Sequence, residues 1–230
     1  MMTTLAFDIY GTLIDTQGIS LKLFDIIGDQ ATEFSHRWRE KQLEYSFRRG
    51  LMRRYQNFAT CTAQALDYTD QFFATNISIT DKQTLMDAYK TLPAYADVTQ
   101  SLVLAKNAGF RLFAFSNGSV SAVEQLLQSA GIRSYFEGVI SVDSLQTFKP
   151  NPDGYQYFLE TTNSQPENSW LISSNSFDVI GAISAGMKAA WLQRDPAALF
   201  DPWGIPPTVT LQHLSQFNSN GVIAPILNLK

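Results

Sequence analysis

The sequence predicts an α/β fold, a doubly wound parallel sheet into which a block of helices is inserted. Two observations carry this. From Asp97 onward, short apolar runs alternate with amphipathic stretches of helical period. That alternation implies parallel strands joined by right-handed crossover helices on both faces. Before it, residues 16–94 carry helical periodicity and little that reads as strand, and they separate an isolated apolar run at residues 5–7 from the rest.

Leu5, Ala6 and Phe7 form the first, buried strand, and Gly11 brings turn chemistry, so Asp8 stands at the strand's carboxyl end. In the insertion, Asp29-Gln30 precedes a helix running to about Arg49, with Gly50 suited to its C′ position. Residues 57–75 are a second helical stretch. Thr80-Asp81-Lys82-Gln83 fits a capping box opening a third, and Pro93 closes the block. The expected domains are a core of residues 1–15 and 95–230 and a helical cap of residues 16–94.

The core then reads as a helix from Asp97 to about Ala108, a strand over 111–115 and a helix over 120–130. A strand over 138–142 and a helix from about Asp153 follow. A strand over 170–173, a helix over 177–185 and a strand over 189–192 complete the alternation. The tail after Asp195 is rich in Pro, Gly and Asn, with a short strand near Val209 and one helical stretch expected.

Composition narrows the function. At 230 residues the chain is long enough for real cores in both parts, and a net charge of −4 gives no reason to expect nucleic acid or an anionic membrane as partner. Cys61 is the only cysteine, so no intrachain disulfide forms, and its amphipathic setting makes it a small core residue. No basic-then-apolar leader and no run of roughly 18 apolar residues is present, so no secretory signal or membrane span is expected. A soluble, cytoplasmic protein is the resulting expectation.

Ligands of an open parallel sheet bind beyond the carboxyl ends of its strands. Those ends read Asp8, then Ser116-Asn117-Gly118, then Lys149, then the run SSNSFD from Ser173 to Asp178. Singly, such residues are as readily turn caps or solvated charges. Four clusters in this order point to one crevice where chemistry is done.

The stretch LAFDIYGTL around Asp8, followed by these clusters, resembles the haloacid dehalogenase superfamily, in which this aspartate is the nucleophile. The superfamily's phosphatases carry Asp-x-Asp and use magnesium. Here the second position is Tyr10, which cannot protonate a leaving alkoxide as a carboxylic acid would, and SSNSFD lacks the paired acids of a hard-cation site. The chain is therefore expected to need no metal or other cofactor. The run RWREKQLEYSFRRGLMRRYQNF (residues 37–58) is similar to the cap of the L-2-haloacid dehalogenases.

That resemblance implies hydrolysis of short-chain L-2-haloalkanoic acids to D-2-hydroxy acids through an ester on Asp8. It makes Arg39 the halide-binding arginine, although by composition alone Arg39 would be a solvated helix residue. Asn117 and Phe177 would complete the halide cradle, and Tyr10, Leu43 and Phe58 would line the apolar side of the pocket. The Ser116 hydroxyl would hold the substrate carboxylate. Lys149 would keep Asp8 ionised, Thr12 would fix its rotamer, and Tyr155 would join the cluster. Asp178 would activate the hydrolytic water, with Ser173 and Asn175 orienting the participants. The implied partners are a 2-haloacid, a halide ion and a second copy of the chain in a homodimer. A phosphatase or phosphonatase, a fluoroacetate-specialised dehalogenase and a catalytically silent binding protein are the alternatives.

Overall fold

A computed structural model describes residues 2–218. Six strands form one wholly parallel sheet: β1 (Thr4–Phe7), β2 (Arg111–Ser116), β3 (Gly138–Ser141), β4 (Ser169–Ser173), β5 (Lys188–Leu192) and β6 (Val209–Leu211), in the order β3-β2-β1-β4-β5-β6. This is the doubly wound α/β sheet expected from the sequence. Winding proceeds one way from β1 to β3 and the other way from β4 to β6, so the switch point lies between β1 and β4. Phe7 pairs with Ala114 on one side and Ile172 on the other, and the Asp8 N–H extends the ladder to the Ile172 carbonyl at 3.0 Å. Asp8 therefore leaves the sheet at the switch point.

Side chains alternate across the strands with period two, and both faces are buried. Leu5, Phe7, Leu112, Ala114, Trp170 and Ile172 pack under the helices α5 (Val98–Asn107) and α6 (Val120–Ser129). Ala6, Phe113, Phe115, Leu171 and Ala189 pack on the opposite face with Phe158 of α7 (Pro152–Thr162) and Val179 of α8 (Ser176–Ser184). Each large side chain among them contributes roughly 1.5–3 kcal/mol by leaving water, which is why short strands suffice.

Between β1 and α5 lie four α-helices, α1 (Gln17–Ile27), α2 (Ala31–Leu51), α3 (Phe58–Phe73) and α4 (Ile79–Ala88). The chain departs and returns side by side. Asp15 N–H donates to the Pro93 carbonyl (2.9 Å), Tyr95 N–H donates to Leu13 (3.0 Å), and Ile14 bridges Ala94. Asn57 caps α3 by accepting from the Thr60 N–H at 2.9 Å, and Cys61 is fully buried beside Phe58 and Phe148.

Two local expectations are corrected. Ser78, not Thr80, caps α4: its hydroxyl accepts from the Asp81 N–H (3.1 Å) and donates to the Asp81 carboxylate (2.7 Å). The cap is thus Ser78 paired with Asp81, two residues earlier, and Thr80 is helical. Gly50 is not the C′ residue either. The helix runs on to Leu51, and the left-handed residue falls at Arg53 (φ 53°). Elsewhere the differences are one or two residues at element ends, and the described part of the tail holds one 3₁₀ turn, Leu214–Asn218, after β6. Residues 219–230 of the expected core lie outside the described residues. Among the described residues no helix is long and apolar enough to cross a membrane.

Candidate active site

Four strand ends and the cap meet around Asp8. Its carboxylate is 8% exposed and receives four donors. Lys149 Nζ donates to Oδ1 at 2.9 Å, while Oδ2 accepts from Thr12 Oγ1 (2.9 Å), Asn175 Nδ2 (2.8 Å) and Ser173 Oγ (3.2 Å). Thr12 is fixed in turn by the Ser174 N–H, which donates to its hydroxyl oxygen at 2.9 Å. These contacts exist because β1 and β4 are neighbours, which places the Ser173–Asn175 loop against the loop that follows Asp8.

Lys149 is buried between two carboxylates. Its ammonium also donates to Asp178 Oδ2 (2.6 Å) and the Phe115 carbonyl (3.0 Å), and it lies 4.7 Å from the Phe115 ring centre. Its own N–H donates to Asn117 Oδ1 at 2.8 Å, which fixes that amide. Asp178, in the first turn of α8, is fully buried, and its other oxygen accepts from the Tyr155 hydroxyl at 2.7 Å. The cluster Asp8–Lys149–Asp178–Tyr155 is therefore one continuous buried network.

Its electrostatics follow from that geometry. Burial alone would raise the Asp8 carboxyl, but the Lys149 charge, with donors from Lys149 and Thr12, holds it below its ordinary value. Asp178 goes the other way: burial and the like charge of Asp8 raise it in spite of Lys149. Burial would lower Lys149, yet the two carboxylates raise it, so it stays an ammonium. The pair of acids is thus split, with Asp8 ionised and Asp178 the better proton acceptor.

Helices α2 and α3 supply the opposite wall. Arg39 and Leu43, one turn apart on α2, and Phe58 at the start of α3 line a chamber of about 20 Å³ together with Tyr10, Asn117 and Phe177. Ser116 lines it too, and its hydroxyl accepts from the Gly118 N–H at 3.1 Å. Arg39 reaches across to the core, donating to Asn175 Oδ1 at 3.4 Å, so one amide joins the guanidinium to Asp8. Phe177 meets Phe47 edge to face at 5.1 Å. Every site residue expected from the sequence lies in this chamber or in the network beneath it.

Other residues were not anticipated. Gln42 accepts from Arg39 Nη1 at 2.6 Å and is itself held by Thr62 of α3; the i, i+3 spacing from Arg39 is the one sequence signal for it. Tyr89 packs edge to face on Tyr10 at 6.0 Å, and its hydroxyl is pushed up to about 12 by burial. Arg194, following β5, donates to the Thr12 carbonyl (2.8 Å) and to both Asp97 oxygens (2.9 and 2.8 Å), tying the Asp8 loop to the segment returning from α4.

Gly181 matters for another reason: a Cβ there would meet the Tyr155 hydroxyl, lie 2.7 Å from its Cζ and 2.8 Å from Pro150 Cβ. Gly181→Ala is expected to cost about 1–3 kcal/mol by overpacking and to displace Tyr155 from Asp178. Urea unfolding would read the first effect and halide release the second.

Lys149 Nζ lies between the Asp8 and Asp178 carboxylates, 2.9 Å and 2.6 Å away, and the residue two after Asp8 is a tyrosine. Among the described residues no group of three His, Cys, Asp or Glu side chains is arranged to hold a metal.

The family model for haloacid dehalogenase-like hydrolases matches residues 2–186. An (S)-2-haloacid dehalogenase of Pseudomonas putida is 33% identical over 215 residues, 94% of each chain. Haloacetate dehalogenase H-2 of Moraxella sp. is 33% identical over 207 residues, 90% of this chain and 92% of that one. The L-2-haloacid dehalogenase of Xanthobacter autotrophicus, solved with chloropropionic acid covalently bound, superposes with a TM-score of 0.84 at 29% identity, covering 95% of this chain and 98% of its own. Sheet order, the lysine between two aspartates and these likenesses agree: the chain belongs to the haloacid dehalogenase-like hydrolases and, within them, to the L-2-haloacid dehalogenases.

Proposed function

We propose that this protein hydrolyses the carbon–halogen bond of L-2-haloalkanoic acids, with Asp8 as nucleophile, inversion at C2 and a D-2-hydroxy acid as product. One observation carries the reading above the others. A buried carboxylate, held ionised by an ammonium, faces across a small chamber a guanidinium delivered by the cap. A departing halide needs positive charge and no proton, and that is what Arg39 offers. The Asn117 amide group opposite its anchored oxygen is a second donor, and the Phe177 ring edge a weak third.

In the first step one Asp8 oxygen attacks C2 in line and halide leaves, with Arg39 matching charge that grows mainly in the transition state. The Ser116 hydroxyl and nearby backbone N–H groups hold the substrate carboxylate, while Tyr10, Leu43 and Phe58 cover its apolar side. Esterification removes the Asp8 charge, so the Lys149 ammonium is left to Asp178 and Phe115. Asp178, already the better proton acceptor, then uses a lone pair left free by Lys149 and Tyr155 to take a proton from a water that attacks the Asp8 ester carbonyl. The tetrahedral intermediate breaks the ester C–O bond, and the departing alkoxide takes that proton from Asp178 to become the hydroxy acid. The regenerated Asp8 carboxyl gives its own proton to solvent. Ser173 and Asn175 orient the carbonyl, and Tyr155 keeps Asp178 in place. Residues 16–94 act in this reading as a cap on a core of residues 1–15 and 95–230. The paired departure and return at Leu13–Asp15 and Pro93–Tyr95 support that boundary.

In this reading the Lys149 ammonium and the Arg39 guanidinium supply the positive charge, and no step is assigned to a metal ion. Purified protein with EDTA is expected to release chloride from L-2-chloropropionate at the full rate and to ignore the D enantiomer. Loss of activity on chelation, or equal use of both enantiomers, would contradict the proposal.

A further inference from the structure

Two cavities meet at one wall. The chamber over Asp8 is about 20 Å³. That is room for about one water. Tyr10 and Phe58, which line it, also line a second cavity of about 360 Å³ between α3, α4 and the start of α6. Its walls are mainly apolar, and small side chains make the room. Ala59 and Ala63 sit one turn apart on α3, Ala122 lines it from α6, and Met86 and Tyr89 complete it. Polar groups stand at several points of its lining: Gln83 and the Asp87–Lys90 ion pair on the α4 side, Gln42, Asn57 and Thr62 from α2 and the start of α3, and Ser119 ahead of α6.

Asp8 must lie behind C2, and Arg39 and Asn117 take the halogen, so the polar directions from C2 are occupied. The carbons beyond C3 are then directed toward the wall of Tyr10 and Phe58 that the two cavities share. A methylene needs about the room of one water, about 30 Å³, so the second cavity takes a tail of several methylenes. Its size is also that of an ordinary small-ligand site.

We propose that this cavity seats the alkyl tail of the substrate, so that the preferred acids are unbranched L-2-haloalkanoic acids of about six to eight carbons, not haloacetate or 2-chloropropionate. This rests on the dehalogenase reading above and extends it to longer acids. The tail gains by leaving water, and each methylene partly buried there should raise kcat/KM about twofold to fourfold. The gain should fall mainly on KM, because the tail is held alike in ground and transition states.

The test is a series of L-2-bromo acids from propionate to octanoate, with halide release followed for the full-length protein and for Ala63→Trp and Ala122→Leu. These two substitutions fill the cavity from different helices and touch none of the catalytic groups. Native protein should show kcat/KM rising from propionate to octanoate. Either variant should lose at least about tenfold on octanoate while keeping propionate within about twofold. A flat or falling series, or an equal loss on all acids, would overturn the tail site and leave the dehalogenase reading standing; the equal loss would make the cavity an access route. Release from none of the acids would overturn both.

Discussion

Asp8→Ala releases no measurable halide from any 2-haloacid, a loss of at least about 10⁴-fold, because no other group within the chamber can form the ester. The variant also separates the nucleophile from the scaffold. Asp8 and Asp178 repel across Lys149, and removal of one acid leaves Lys149 still paired with the other. Asp8→Ala and Asp8→Asn should therefore fold, and the thermal midpoint of Asp8→Asn should stay close to that of the unaltered protein. A variant that is inactive because it is unfolded would show itself at once by circular dichroism. Residual turnover above about one part in a hundred would mean that another group attacks C2.

Lys149→Met is expected to damage both activity and stability. The ammonium is buried, and its removal leaves two carboxylates facing one another without a cation. Breaking such a pair from one side costs about 3–5 kcal/mol, because the remaining charges stay buried. Asp8 loses what holds its carboxyl low, so more of it is protonated, and halide release should fall by about a hundredfold or more. The double variant Lys149→Met/Asp178→Asn should recover much of the stability and none of the activity. Recovery of activity would remove Lys149 from the chemistry.

The same network sets a pH dependence with a definite sign. Asp8 is lowered on folding, so its contribution is present above the ordinary aspartate range and is lost as pH falls through its folded value. Lys149 is raised, so its contribution is complete below the ordinary lysine range and is lost as pH rises through its folded value. Asp178 is raised and opposes the first: ionising it in the folded state costs stability at neutral pH, and that cost fades as pH falls.

Much of this was legible in the chain itself. Apolar runs of three or four residues mark the strands, and in a parallel sheet their carboxyl ends share one edge. Asp8, Asn117, Lys149 and Ser173 could therefore be placed together although they lie far apart in sequence. Arg39 could be placed only through resemblance, because it lies on a helix inserted between strands. Helix ends were less legible. Ser78 and Thr80 both offer a hydroxyl three residues before a polar side chain, and only the backbone decides that Ser78 turns out of the helix (ψ 156°). Arg194 and Tyr89 left no local signal, since their partners Thr12 and Tyr10 are distant in the chain and are met only on folding. The occupancy of both Asp178 oxygens is likewise a fact of three dimensions. Nothing in SSNSFD shows that Tyr155 and Lys149 reach the same carboxylate.

The central claim is that a bond forms between Asp8 and C2, and one measurement addresses it directly. A single turnover with enzyme in excess, run in water enriched in oxygen-18, should give a 2-hydroxy acid carrying unlabelled oxygen at C2, with one heavy oxygen found by mass spectrometry in the peptide containing Asp8. A product that carries the heavy oxygen at C2 after that first turnover, with the peptide unlabelled, would mean that water displaces the halide itself and that Asp8 is not the nucleophile.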